Sequence, residues 1–428
     1  MRIGTPLCCA LLLSAVAGPA SANGVVRDSI GGTASGRGGT NIAHADNGAV
    51  LLSNPAGIIN APGRGLFEIG VDGLFTDLDY ADAQNNTADF MPFALPQVSV
   101  IRKSDDDRWA AGFGVFAPAG FGADWDMNAP FPINGKRGYE SLGMLVKVIP
   151  GLAYRVNDRL SIGATLGLGY SYAELEGPLF IQSHPLLQGT PTLIHLKADG
   201  LSPTWSVGAQ YDVSERTRIG ITYTSETRFR LEGDAEATIF GLNPLDPTFG
   251  VSSKFDLEAD LVWPQSVGIG ITHWLTCRQR VSADVLWFDW SHAFDRLDLK
   301  LSNPSQAMFG PLAPIRDSLP LEWNDSVSIR LGHEFWLTPC DVVRVGYIHN
   351  TKVIPQSTLT PYIPATLEHS FTVGYGHQRR DVHYNVGYEF GFGPTQHVDD
   401  SQIVGGDFDD SVVTSRAHWL FFSLTKEF

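Results

Sequence analysis

The chain runs to 428 residues, with 46 Asp and Glu against 30 Lys and Arg and a formal charge of −16. That balance excludes a partner recognised through its phosphate backbone, so no nucleic acid is expected. Past residue 22, no run approaches the roughly 18 apolar residues that a membrane-spanning helix needs.

Residues 1–22 read as a secretory signal peptide. Arg2 supplies the positive start, Leu7 to Ala17 the apolar run, and Ala20-Ser21-Ala22 the small-residue cleavage site. Cys8 and Cys9 leave with it, and the mature chain is expected to begin at Asn23. Residues 23–63 follow no strand period. They are rich in Gly, Ala, Ser and Asn, as in Gly36-Arg37-Gly38-Gly39 and Asn47-Gly48, with a short helical turn around Ala49 to Leu52 that Pro55 stops. The segment has too few large apolar side chains for a core of its own. Either it is a disordered leader or it packs inside something.

Residues 64–428 alternate. Between Leu160 and Tyr172, the residues Leu160, Ile162, Ala164, Leu166, Leu168, Tyr170 and Tyr172 fall on one face, and Ser161, Gly163, Thr165, Gly167, Gly169 and Ser171 on the other. A period of 2 of this length is a long β-strand. Its polar face carries Gly, Ser and Thr in place of Lys and Glu, which fits lipid outside and a crowded lumen inside. The same alternation recurs at Val267, Ile269 and Ile271, at Val327, Ile329 and Leu331, and at Phe371, Val373 and Tyr375. Fourteen strands are predicted, starting near Gly65, Gln97, Trp109, Tyr139, Leu160, Thr204, Arg218, Ser253, Arg280, Trp323, Val342, Glu368, Asp381 and Val412. Short connections such as Asn157-Asp158-Arg159 and Ser214-Glu215-Arg216 alternate with long ones, for example Gly177 to Pro203 and Leu301 to Glu322. Short periplasmic turns and long outer loops are the asymmetry of an outer-membrane barrel. Trp263, Trp274, Trp287, Trp290, Trp323, Trp336 and Trp419 lie near strand ends, where aromatic girdles sit. The last strand puts Leu420, Phe422, Leu424 and Phe428 on one face, interrupted by Lys426. The predicted fold is all-β: a transmembrane antiparallel β-barrel of about 14 strands.

No motif carries chemistry. There is no G-x-S-x-G elbow, H-E-x-x-H, P-loop or C-x-x-C, so no catalytic residue, metal site or cofactor is expected, and the chain is read as not an enzyme. His377 and His383 flank a turn. Asp399, Asp400, Asp407, Asp409 and Asp410 fall in the last outer loop and read as solvated. Cys277 and Cys340 sit in turn-like stretches; in an oxidising periplasm they form either a disulfide or two free thiols.

The order of several short motifs is similar to that of the FadL family, whose members transport long-chain fatty acids and aromatic hydrocarbons across the Gram-negative outer membrane. Ala34-Ser35-Gly36-Arg37-Gly38-Gly39, Asn47-Gly48-Ala49 and Asn54-Pro55-Ala56-Gly57 resemble its N-terminal hatch. Gly151-Leu152-Ala153-Tyr154-Arg155, Arg218-Ile219-Gly220-Ile221-Thr222-Tyr223, Trp263-Pro264-Gln265-Ser266-Val267, Asp289-Trp290-Ser291 and Thr360-Pro361-Tyr362-Ile363-Pro364 follow in the family's order. The resemblance implies a barrel plugged by residues 23–63, with Asn54, Pro55, Ala56 and Gly57 closing the hatch. It also implies sideways release of a hydrophobic molecule through a gap at a kinked third strand. Here that strand meets Ala117-Pro118-Ala119-Gly120, where Pro118 lacks a donor and Gly120 a side chain, the marks of a bulge or of a strand end.

Lys147 and Arg330 face the lumen by parity and are the candidate partners for a fatty-acid carboxylate; a bond to lumen carboxylates is the structural alternative. The expected partners are a hydrophobic small molecule, outer-membrane lipid and lipopolysaccharide, and the chain is taken as a monomer. Competing readings are a channel for aromatic hydrocarbons or alkanes, a porin for polar solutes, and a structural or adhesin barrel.

Overall fold

Alternation along each strand becomes the two faces of one closed wall. The computed structural model describes residues 24–406 and 408–428, so the expected signal peptide and Asn23 lie outside the described residues. Within them the wall has fourteen strands. The first six are β1 (Gly65–Ala81), β2 (Pro92–Lys103), β3 (Trp109–Asn128), β4 (Lys136–Arg155), β5 (Leu160–Phe180) and β6 (Pro191–Ser214). Four broken strands follow: β7 (Thr217–Thr224 and Thr227–Ile239), β8 (Val251–Trp263 and Ser266–Thr276), β9 (Gln279–Phe288 and Arg296–Ser302) and β10 (Ile315–Pro320 and Ser326–Trp336). The last are β11 (Asp341–Asn350), β12 (His369–Arg379), β13 (Val382–Phe392) and β14 (Ser411–Glu427). Neighbours pair antiparallel, and β14 closes the barrel on β1 from Leu66↔Glu427 to Ala81↔Val412. Closure gives every strand a partner on both sides, which is what allows strands to cross lipid. No described helix is long and apolar enough to do so.

The faces sort as the alternation requires. On β5, Ile162, Leu166 and Leu168 are 45%, 68% and 53% exposed, whereas Ser161, Thr165 and Ser171 are buried. Val267, Ile269, Ile271, Ile329, Leu331, Phe371 and Val373 continue the same outward belt. Above it the pattern inverts. The outer ends of β5 and β6 bury Leu179, Ile194 and Leu196 and turn Glu174, Glu176 and Lys197 outward. This inversion lengthens the strands beyond the expected bounds. The stretch Gly177 to Pro203, expected as a loop, is loop only over residues 181–190, and Leu301 to Glu322 contains the strand piece Ile315–Pro320.

The short turns share the rim that holds Phe428. In one of them the Asn157 side-chain oxygen accepts hydrogen bonds from the backbone N–H groups of Arg159 and Leu160, at 2.9 Å each, so the side chain replaces a backbone turn bond.

The segment before β1 fills the lumen. It contains two short helices, α1 (Gly31–Gly36) and α2 (Val50–Ser53), and the 3-10 turn Pro55–Asn60. Val50, Leu51, Ile58 and Ile59 are fully buried and pack on Leu66, Ile101, Phe116, Ile149 and Ala153 of the wall. Each such side chain contributes about 1.5–3 kcal/mol, so the segment borrows the core it lacks. Wall glycines admit its backbone. A Cβ at Gly163 of β5 would lie 2.4 Å from the Pro55 carbonyl carbon, which a side chain cannot share. Gly163→Leu is expected to leave the barrel folded, destabilise the plug by about 1–3 kcal/mol through overpacking, and raise single-channel conductance in planar bilayers; unchanged conductance would count against this packing role.

Candidate functional site

The wall opens at β3. The β2–β3 ladder runs from Lys103↔Ala110 to Val98↔Val115 and ends there. Beyond it, β2 residues Pro92 to Gln97 pair only with β1. On its other side, β3 shifts register against β4 between Phe116 and Ala119. Phe116 faces Lys147 and Ala119 faces Leu145, so Ala117 and Pro118 together oppose Val146. This is a bulge with one extra residue, and it carries β3 away from β2. Of the two sequence alternatives for Pro118 and Gly120, the bulge is the one formed: the strand continues through both to Asn128.

The N-terminal segment lines the inner side of this bulge. Val26 bridges Ala119, the Arg27 N–H donates to Pro118 O at 3.0 Å, and the Gly120 N–H donates to Val25 O at 3.0 Å. Arg27 also donates to Ala117 O, pairs with Asp72 of β1 and lies 4.9 Å over the Trp419 ring. A cavity of about 490 Å³ passes along the gap. Leu74, Phe93, Leu95, Phe116, Met144 and Phe421 of the wall line it. Its lining is apolar apart from a few groups that include Asp28, Asn350 and Glu389.

Lys147 projects into the lumen between two apolar clusters. It is 7% exposed, with Leu145 of the upper cluster and Ile149 of the hatch cluster two residues to either side on the same face. Its cross-strand neighbours are Phe116 and Gly169. Among the described residues it makes no ion pair and no hydrogen bond. Arg330, the other candidate, is also buried and inward but engaged. It pairs with Asp28 at 3.3 Å, donates to the Asp28 carbonyl, and donates to Ser328 Oγ at 3.0 Å. The sequence marks both alike, and the fold separates them.

Asn54 clips the plug to the wall. Its side-chain nitrogen donates to Ile42 O at 2.8 Å, to Ala209 O of β6 at 3.2 Å and to Ile221 O of β7 at 3.3 Å. Its oxygen accepts from the Ala56 N–H at 3.1 Å and so caps the 3-10 turn, with Pro55 in the first position, where a missing N–H costs nothing. Gly57 approaches His44 O so closely that a Cβ would lie 2.9 Å from it. Asn54→Ala leaves buried carbonyls short of a donor, at about 1–3 kcal/mol. Larger bilayer leak currents and faster proteolysis of the plug are expected, while an unaltered current would remove Asn54 from the clip.

A chain with this wall, plug and gap matches a known family. The family model described as outer membrane protein transport protein (OMPP1/FadL/TodX) matches residues 11–428. The chain belongs to this family. It is an outer-membrane transport protein and not an enzyme. A curated relative, the long-chain fatty acid transport protein of Escherichia coli, is 26% identical over 222 residues, which cover 46% of this chain and 48% of that protein. The match thus spans about half of that relative's length. A Pseudomonas aeruginosa FadL homologue shares the fold with a TM-score of 0.79 at 17% identity, covering 95% of this chain and all of that one. The toluene transporter TodX of P. putida does so with a TM-score of 0.79 at 20% identity, covering 94% and 99%.

This FadL-family chain holds its hatch by an ion network that the sequence alone did not single out. Arg37 and Asp46 of the hatch meet Arg280, Glu334 and Arg344 of the wall. Arg37 and Arg280 pair with Asp46 at 2.9 and 2.6 Å, and Arg344 and Arg280 pair with Glu334 at 2.9 and 2.5 Å. Arg280 also lies over the paired rings of Trp274 and Trp336, 5.1 and 5.3 Å from their centroids. Burial opposes ionisation of Asp46, but Arg37 and Arg280 outweigh it and hold the carboxyl well below its usual range. Burial, with the same guanidiniums, lowers His44 well below an ordinary imidazole, so it stays neutral. His44, Asp46 and Glu334 have ligand atoms within 4.8 Å of one another. Both carboxylates are already bound by arginines, so the cluster is built as a latch and not as a cation site. Cys277 and Cys340, on the β8–β9 and β10–β11 turns, are exposed free thiols, and the alternative of a disulfide between them is not formed.

Proposed function

We propose that this FadL-family channel takes up long-chain fatty acids and releases them sideways into the outer membrane. The observation that carries the reading is Lys147, a buried cation without a partner among the described residues, set between Leu145 and Ile149 of two apolar clusters. A buried charge is costly unless paired, and a carboxylate at the end of an alkyl chain supplies the missing charge while its tail occupies the apolar walls. A hydrocarbon such as toluene would leave the lysine unpaired. Each methylene moved out of water gains about 0.8 kcal/mol, so a fatty acid that reaches the lumen has no reason to return to water. The gap above Val115 gives it an apolar exit. The filled lumen argues against a porin for polar solutes, because the hatch occupies the space such solutes would need. The long-chain fatty acid transport protein of E. coli is the relative whose named substrate fits this reading.

Uptake of labelled oleate and labelled toluene by cells lacking and then regaining the protein tests the proposal. Restored oleate uptake with toluene unchanged is the expected result. Restoration of toluene alone would replace fatty acids by aromatic hydrocarbons, and rapid sugar flux in liposome swelling would replace both by polar solutes.

A further inference from the structure

Strands β7, β8, β9 and β10 are all interrupted at one level: at Ser225-Glu226, at Pro264-Gln265, over residues 289–295 and over residues 321–325. The seam marks the top of the lipid-facing belt on this side. Below it the outward residues include Val207, Ile221 and Val267, each 41–54% exposed, and above it, Leu201 apart, they turn charged at Arg230, Glu232 and Glu258. An outward-opening notch of about 640 Å³ lies at the first three breaks. Its apolar side is the ring pair Trp205 and Tyr223, with centroids 5.2 Å apart. Its polar side is Glu226, Arg228, Gln265 and Asp289. These groups are fixed. The Tyr223 hydroxyl donates to Gln265 Oε1 at 2.8 Å, Gln265 Nε2 donates to Asp289 Oδ2 at 2.6 Å, and Arg228 Nε donates to Glu226 Oε1 at 2.7 Å.

We propose that this notch docks the sugar headgroup of an outer-leaflet glycolipid, lipopolysaccharide. A pyranose ring has an apolar C–H face and a rim of hydroxyls that both donate and accept. The notch offers the matching surfaces: an aromatic pair on one side, and carboxylates, an amide and a guanidinium on the other. The volume lies within the range of small-ligand sites. Val207 and Ile221, directly below, give the acyl chains of the same molecule an apolar wall to lie against. The arginine is already paired with Glu226, so the site selects hydroxyls over bare phosphate. Two motifs that the uptake route leaves unused, Trp263-Pro264-Gln265 and Asp289-Trp290-Ser291, supply Gln265 and Asp289.

The test titrates the full-length, delipidated barrel in detergent with purified lipopolysaccharide and reads bound lipid by native mass spectrometry. Trp205→Ala and Asp289→Ala are expected to weaken retention by about tenfold or more, as loss of an anchor does at other recognition sites, and Trp205→Phe to restore most of it. Heat-modifiable migration on gels confirms that each variant is a folded barrel. Equal retention by folded Trp205→Ala and wild type would overturn the proposal. So would binding that EDTA abolishes in every variant alike, which would mean cation-bridged phosphates. Phosphatidylglycerol binding as tightly, with the same sensitivity to Trp205 and Asp289, would overturn recognition of the sugar.

Discussion

Deletion of Pro118 is expected to reduce oleate uptake to the level of cells without the protein. The bulge places Ala117 and Pro118 opposite the single residue Val146. Removing one of the two restores one-to-one pairing between β3 and β4 and lets the β2–β3 ladder extend past Val98↔Val115 toward Pro92. Antiparallel ladders propagate once register is continuous, because each further residue satisfies backbone groups that otherwise lack partners in lipid. The exit closes while the lumen stays intact. Pro118→Ala keeps the extra residue and is expected to keep most of the transport, which separates the effect of the bulge from that of the ring. Oleate binding to the purified deletion variant should persist, since Lys147 and the apolar clusters are untouched. Wild-type uptake by the deletion variant would place the exit elsewhere.

The second large effect is expected at Lys147. Lys147→Met keeps the stem and removes the charge. The loss of a charge-assisted hydrogen bond, about 1.5–3 kcal/mol, predicts oleate binding weaker by roughly tenfold to a hundredfold. Oleyl alcohol, which has the same tail and no carboxylate, should bind the variant and the wild type alike. Removing an unpaired buried cation should also stabilise the empty barrel or leave its stability unchanged, so the melting temperature should not fall. Isothermal titration with the two ligands reads the contrast. Equal losses for acid and alcohol would make Lys147 a packing residue.

Arg330 shows where sequence reading stops. Parity places Arg330 and Lys147 alike in the lumen, and nothing within their own strands distinguishes them. The difference comes from Asp28, 302 positions away, which the plug brings to Arg330 and not to Lys147. The latch formed by Arg37, Asp46, Arg280, Glu334 and Arg344 was hidden for the same reason. Its members come from the hatch and three strands, and each is an ordinary charged residue until the plug seats. The outer strand extensions were missed differently. Their alternation is present but inverted, apolar inward and polar outward, because water replaces lipid around the wall.

What the sequence determined by itself was the wall. Side chains on a strand alternate with a fixed period of 2, and lipid demands apolar groups on one side at every crossing. Strand number, the direction each residue faces, and the alternation of short and long connections therefore follow from local pattern. The extra residue at Ala117-Pro118 could also be suspected, since Pro and Gly disturb ladders wherever they stand. Only the tertiary structure decided which of Lys147 and Arg330 is left unpaired, that the gap lies between β2 and β3, and that four strands break at one level. Each of these depends on which residues meet across strands and through the plug, and register and long-range contact are not encoded in any one segment.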